Sequence, residues 1–73
     1  MYRRMVGEYL THYRPELKAE LLNAEMLQTF LDEKVKAMQA ARAEILEKLT
    51  PEMSQLQREM EAERLVQELF LPI

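Results

Sequence analysis

A chain of 73 residues, 48% hydrophobic and 32% charged, is a soluble and foldable domain, but one this small hides only about 60% of its extended-chain surface. It has no cysteine and a single histidine, His12, which excludes disulfides and thiolate sites and leaves a zinc ion in need of three carboxylates. The net charge of −3 is uneven: Arg3, Arg4 and Arg14 face only Glu8 in residues 1–14, while the remainder holds seven basic and twelve acidic side chains.

One glycine and three prolines, among many Leu, Glu, Ala, Met, Gln and Lys residues, argue for an all-α chain. No window alternates with the period of two that a strand requires. The expectation is a single domain over 1–73, a small bundle of three to four helices with a long hairpin-like pair.

The first helix is predicted over 2–13, where Tyr2, Met5, Val6, Tyr9, Leu10 and Tyr13 recur at spacings of three and four. Gly7 is costly in a helix interior and suggests a close helix approach. Pro15 lacks an amide proton and ends that helix. It also suits the first position of the next, predicted over 15–23 with Leu17, Leu21 and Leu22 buried. Asn23-Ala24 is a candidate break, because Asn tolerates the left-handed conformation that ends helices.

A long helix follows over 25–49. Its stripe of Leu27, Leu31, Val35, Met38, Ala41, Ile45 and Leu49 has a mean step of about 3.7 residues, nearer the 3.6 of a straight bundle helix than the 3.5 of a coiled coil. Thr50-Pro51-Glu52 combines a cap oxygen, a first-position proline and an acid at the positive end of the helix dipole. The last helix is therefore predicted over 51–70, with Met53, Leu56, Met60, Leu65, Val66, Leu69 and Phe70 apolar. Its stripe changes phase between Met60 and Leu65, so it should serve two surfaces, one within the chain and one outside it.

Candidates for chemistry are few. His12 stands one turn after Glu8, the spacing of a base held by a carboxylate, but no nucleophile or second histidine accompanies it. Glu59, Glu61 and Glu63, with Glu44 and Glu47, read as a solvated acidic face. No phosphate loop or metal cluster can be assembled, so neither enzymatic activity nor a cofactor nor a small-molecule substrate is expected. No apolar run approaches the roughly 18 residues of a membrane span. Nor does an apolar segment follow Arg3-Arg4 as in a signal peptide, and the expected compartment is the cytoplasm.

The expected activity is protein interaction, with a partner or with itself. Tyr2, Met5, Tyr9, Tyr13, Leu27, Leu31, Val35, Met38, Ile45 and Met60 are the candidate interface residues, rich in the aromatic and methionine side chains that anchor such contacts. One-residue punctuation at Thr50 makes a tight corner that need not close the long helices on each other, so their stripes are expected to pair two copies as a homodimer. Two alternatives stand beside this. Arg3, Arg4 and Arg14 beside the tyrosines could touch phosphates in a DNA-associated accessory protein, or the acidic second half could act as a decoy for a host nucleic-acid enzyme.

Tyr2, Arg4-Met5, Tyr9-Leu10, Arg14-Pro15, Leu17 and Leu21-Leu22, followed by Leu27 and Leu31, form the pattern Y-x-R-M-x3-Y-L-x3-R-P-x-L-x3-L-L. Over residues 2–31 the chain thereby resembles the transposon-encoded TnpV family and similar small phage reading frames, several of which end, as here, in an acidic helix and a Leu-Pro tail. It departs from them at Ala24-Glu25, where a Ser-Gly turn is usual, and in its shorter second half. The resemblance implies a helical fold and a mobile-element origin; it implies no activity. Arg14 at the corner is expected to be architectural, pairing with a carboxylate or a helix C-terminus.

Overall fold

Helix α1 (Tyr2–Tyr13) turns its apolar face inward, burying Tyr2, Val6 and Leu10. The computed structural model describes all 73 residues as four helices and no strand, adding α2 (Pro15–Asn23), α3 (Leu27–Lys48) and α4 (Gln55–Phe70). Arg14 forms the α1–α2 corner; its amide still donates to Leu10, and its carbonyl already accepts from Lys18 in the next helix. Proline at the first position of α2 makes that handover possible within one residue.

Helix α2 ends at Asn23, as its expected range has it, but the left-handed residue that ends it is not the asparagine. Asn23 remains helical, and Glu25 takes the left-handed conformation, with φ of 58°. Its amide donates to Leu22 and that of Met26 donates to Leu21, the paired bonds of a Schellman ending with glutamate at the position glycine prefers. Helix α3 therefore starts at Leu27 rather than at residue 25. Leu22 points to solvent instead of into the core.

The start of α4 also moves. Thr50 to Met53 form a turn, with Met53 donating to the Thr50 carbonyl and Glu52 to its hydroxyl. The helix is capped by Ser54, whose hydroxyl accepts from the Gln57 amide at 3.2 Å while the Gln57 side chain accepts from the Ser54 amide at 3.1 Å. This reciprocal box satisfies two otherwise orphaned amides, and the longer connection lets α4 turn back beside α3. The one-residue corner expected at Thr50 is replaced by a six-residue loop, 49–54, and a closed antiparallel hairpin.

Helix α3 is the spine. Helices α1 and α4 both lie along it and run back against its direction, so that Tyr2 meets Glu63 near one end and Arg14 meets Ile73 near the other. The core is Tyr2, Val6, Leu10, Leu31, Met38 and Val66, with Ala62 also buried. Leu17, Leu21, Phe30, Val35, Ile45 and Phe70 pack around it. Gly7 faces open space rather than a neighbouring helix, contrary to the close approach expected of it. The molecule is elongated, 48 × 20 × 16 Å, because α1, about 18 Å long, covers only part of an α3 of about 33 Å.

Candidate protein-docking surface

Beyond the end of α1 the molecule is only two helices thick. No residue from Gln39 to Glu61 is buried, although Ile45, Leu46, Leu49, Met53, Leu56 and Met60 all lie there. One polar contact joins the two helices of the tip. Arg58 donates to the Leu46 carbonyl at 2.6 Å, a cation on one of the orphaned carbonyls that end α3. Lys48 pairs with Glu44 at 2.8 Å, which holds the lysine up and the glutamate down from their ordinary pKa values.

The two faces of α4 have different fates. Ala62 and Val66 point into the bundle, whereas Leu56 is 66% and Met60 63% exposed, and Met53, in the loop before the helix, is half-buried. The phase change legible between Met60 and Leu65 is this change of face. Leu56 and Met60 border an open groove of about 530 Å³ that reaches Met1, Arg42 and Gln67. Its rim is charged: Glu59 lies on one side, and on the other Arg64 pairs with Glu61 and, at 2.7 Å, with Glu68.

At the base of the groove a polar cluster pins the start of α1 to the hairpin. The Tyr2 hydroxyl donates to Glu63 Oε1 at 2.6 Å, and Arg42 Nε donates to the same oxygen at 2.8 Å. Burial of the phenol, then the hydrogen bond and charge of Glu63, push the Tyr2 pKa up to about 12. Glu63 thus leaves the solvated acidic face expected for it. Nothing in its spacing distinguished it from Glu59 or Glu61; only the approach of Tyr2, 61 residues away in sequence, does so.

The residues expected at an interface divide sharply. Tyr2, Leu31 and Met38 are buried in the core, and Met5, Leu27, Val35 and Ile45 pack against it. Much of the α3 stripe therefore packs within the chain, Leu31 and Met38 fully and Leu27, Val35, Ala41 and Ile45 in part. Tyr9 is half-buried and leans on Tyr13, their rings 4.9 Å apart. Only Tyr13 and Met60 of the set are exposed.

The arginines considered for phosphate are engaged. Arg3 bonds Asp32 and Gln28, tying α1 to α3, and Arg4 pairs with Glu8 at 3.0 Å. Arg14 donates to the Ile73 main-chain carbonyl and lies 3.7 Å from Glu16. His12 is exposed, and the carboxylate one turn before it is directed to Arg4.

Fold and surface define a small all-α bundle with a projecting two-helix tip that presents apolar side chains. No helix is long and apolar enough to cross a membrane. Comparison with protein-family models, curated proteins and solved structures gives no match.

Proposed function

We propose that this chain is a protein-interaction module that docks a helix on the outer face of α4, over Leu56 and Met60, beside Met53 of the preceding loop. One observation carries the reading: a hairpin tip of more than twenty residues, 39–61, buries none of them while exposing two large apolar side chains on successive turns. Each such side chain left in water forgoes about 1.5–3 kcal/mol that a partner's surface would supply. An amphipathic helix laid along the groove reads such anchors at spacings of three and four. A mobile-element origin belongs to this reading through the pattern of residues 2–31, and the cytoplasm through the composition. Neither alternative gains an observation, since Arg3, Arg4 and Arg14 already have acceptors and Glu61, Glu63 and Glu68 already have arginines.

The test compares the unmodified chain with Leu56→Glu as baits in a host lysate. A specific partner retained by the first and lost by the second is the expected outcome. Equal capture by both, or capture abolished instead by Tyr13→Ala, places the docking face elsewhere and ends the proposal. Circular dichroism of Leu56→Glu should be unchanged, because the side chain is exposed.

A further inference from the structure

Away from α4, we propose that the groove where α1, α2 and α3 meet is a binding site for a small amphiphilic carboxylate, a single apolar tail with one negative headgroup. The groove has a volume of about 350 Å³, and Gly7, Leu10, Leu27 and Leu31 line it, a size at the lower end of small-ligand sites. Leu10 and Leu31 are buried, so the walls they present are fixed and apolar. Gly7 is the reason the groove is open. A glycine inside a helix weakens it relative to alanine, and here neither backbone nor neighbours call for one: its φ is negative, and a Cβ would meet no atom within 4 Å. What the missing side chain does provide is room, and close approach of a ligand to bare backbone is one of the uses of glycine.

The rim chooses the headgroup. Lys18 reaches across from α2 and donates to the Thr11 hydroxyl at 3.0 Å, and Thr11 in turn donates to the Gly7 carbonyl at 3.0 Å. This strap holds the ammonium at the groove with donors to spare, and its one bonded partner is that neutral hydroxyl rather than a carboxylate. His12 is exposed on the same rim. Arg4 and Glu8 complete it but engage each other at 3.0 Å. Arg4 and Lys18 against Glu8 leave a net +1 before any charge on His12, which suits a monoanion; a dianion such as phosphate would also meet the Glu8 carboxylate. With its tail over Gly7, between Leu10 and Leu31, a carboxylate amphiphile sets its headgroup beside Lys18 and His12, a charge-assisted contact at the edge of an apolar groove.

Sodium octanoate and 1-octanol are the probes, titrated separately into the full chain and followed by two-dimensional amide NMR. Octanoate should bind saturably at one site with a Kd on the order of a millimolar, moving the amides of Gly7, Thr11, Lys18 and Leu31. The alcohol carries the same tail and is more hydrophobic, so it binds more tightly wherever burial alone acts; here it should bind at least about fivefold more weakly than octanoate. Gly7→Leu fills the groove from α1 and should weaken octanoate at least about tenfold, while the melting temperature stays level or rises by roughly 4–8 °C. Lys18→Met keeps the apolar stem and removes the headgroup contact. It should bring octanoate down to the level of octanol, and it carries the test if Gly7→Leu does not fold. Octanol binding as tightly as octanoate, or octanoate affinity unchanged in folded Gly7→Leu or in Lys18→Met, overturns the inference. So does a response that never saturates, or one lost in Leu56→Glu, since that side chain lies outside the groove.

Discussion

Tyr2 shows how much one side chain can change role between sequence and fold. At a helix start, with two further tyrosines on its face, it reads as an interface aromatic. In the folded chain its ring is 6% exposed and its hydroxyl is committed to Glu63. The neutral phenol is the form the fold favours, since its folded pKa of about 12 lies above the ordinary value near 10. The unfolded chain therefore releases this proton first. The stability contributed by Tyr2 is fully present below about pH 10 and is lost as pH rises toward 12. Thermal melts should show an alkaline decline in that window that is shallower in Tyr2→Phe, and a phenolate absorbance step near pH 12 should disappear with the substitution. At neutral pH the same variant should lose about 1.5 kcal/mol, one hydrogen bond to a charged acceptor that keeps its other donor, Arg42. An unshifted phenol titration would refute the buried pairing.

Among the elements, termini rather than middles carried the surprises. The apolar faces of α1 and α3 were legible apart from Tyr13, which is exposed, and Phe30, which packs on the core outside the expected stripe, because a spacing of three and four is a direct consequence of 3.6 residues per turn. Ends depend on competing local bonds. Thr50-Pro51 offered a respectable start for α4, but Ser54 with Gln57 three residues on supplies two reciprocal bonds instead of one, and the S-x-x-Q signature was present in the sequence to be read. The end of α2 is the opposite case, since nothing about Glu25 advertises a left-handed residue. That conformation costs a residue with a Cβ about 1–2 kcal/mol, and the extra freedom glycine has when unfolded offsets part of any gain. Glu25→Gly should consequently stabilise the protein by about 1 kcal/mol, raising the melting temperature by roughly 4–8 °C. A lower melting temperature would mean that the Glu25 side chain does more at this corner than its backbone loses.

At the scale of the whole molecule, stability is distributed unequally along the long axis. All seven buried residues lie in Tyr2–Leu10, Leu31–Met38 or Ala62–Val66, where three helices overlap. The hairpin tip rests on half-buried Ile45, Leu46 and Leu49 and on the Arg58 contact to α3. Native-state hydrogen exchange should therefore find the slowest amides in the three-helix segment, with residues 43–60 opening at least about tenfold more readily in the monomer. Uniform protection from end to end would contradict the two-tier picture.

What the sequence determined by itself was the class and the local grammar: an all-α chain of three to four helices, the proline corner at Arg14, the stripe of α3 and the change of face along α4. These follow from periodicity and backbone chemistry, which act over a few residues and leave their mark on spacing. What only the tertiary structure decided was the pairing of faces. Periodicity states that Leu31 and Met38 share a stripe, but not whether α1, α4 or another chain lies against it. A six-residue loop in place of a one-residue corner was enough to bring α4 back onto α3 and turn that stripe inward. The same closure singled out Glu63 from its acidic neighbours and left Leu56 and Met60 on the outside. Those assignments depend on contacts between residues some sixty positions apart, such as Tyr2 with Glu63 and Arg14 with Ile73, and no local spacing encodes them.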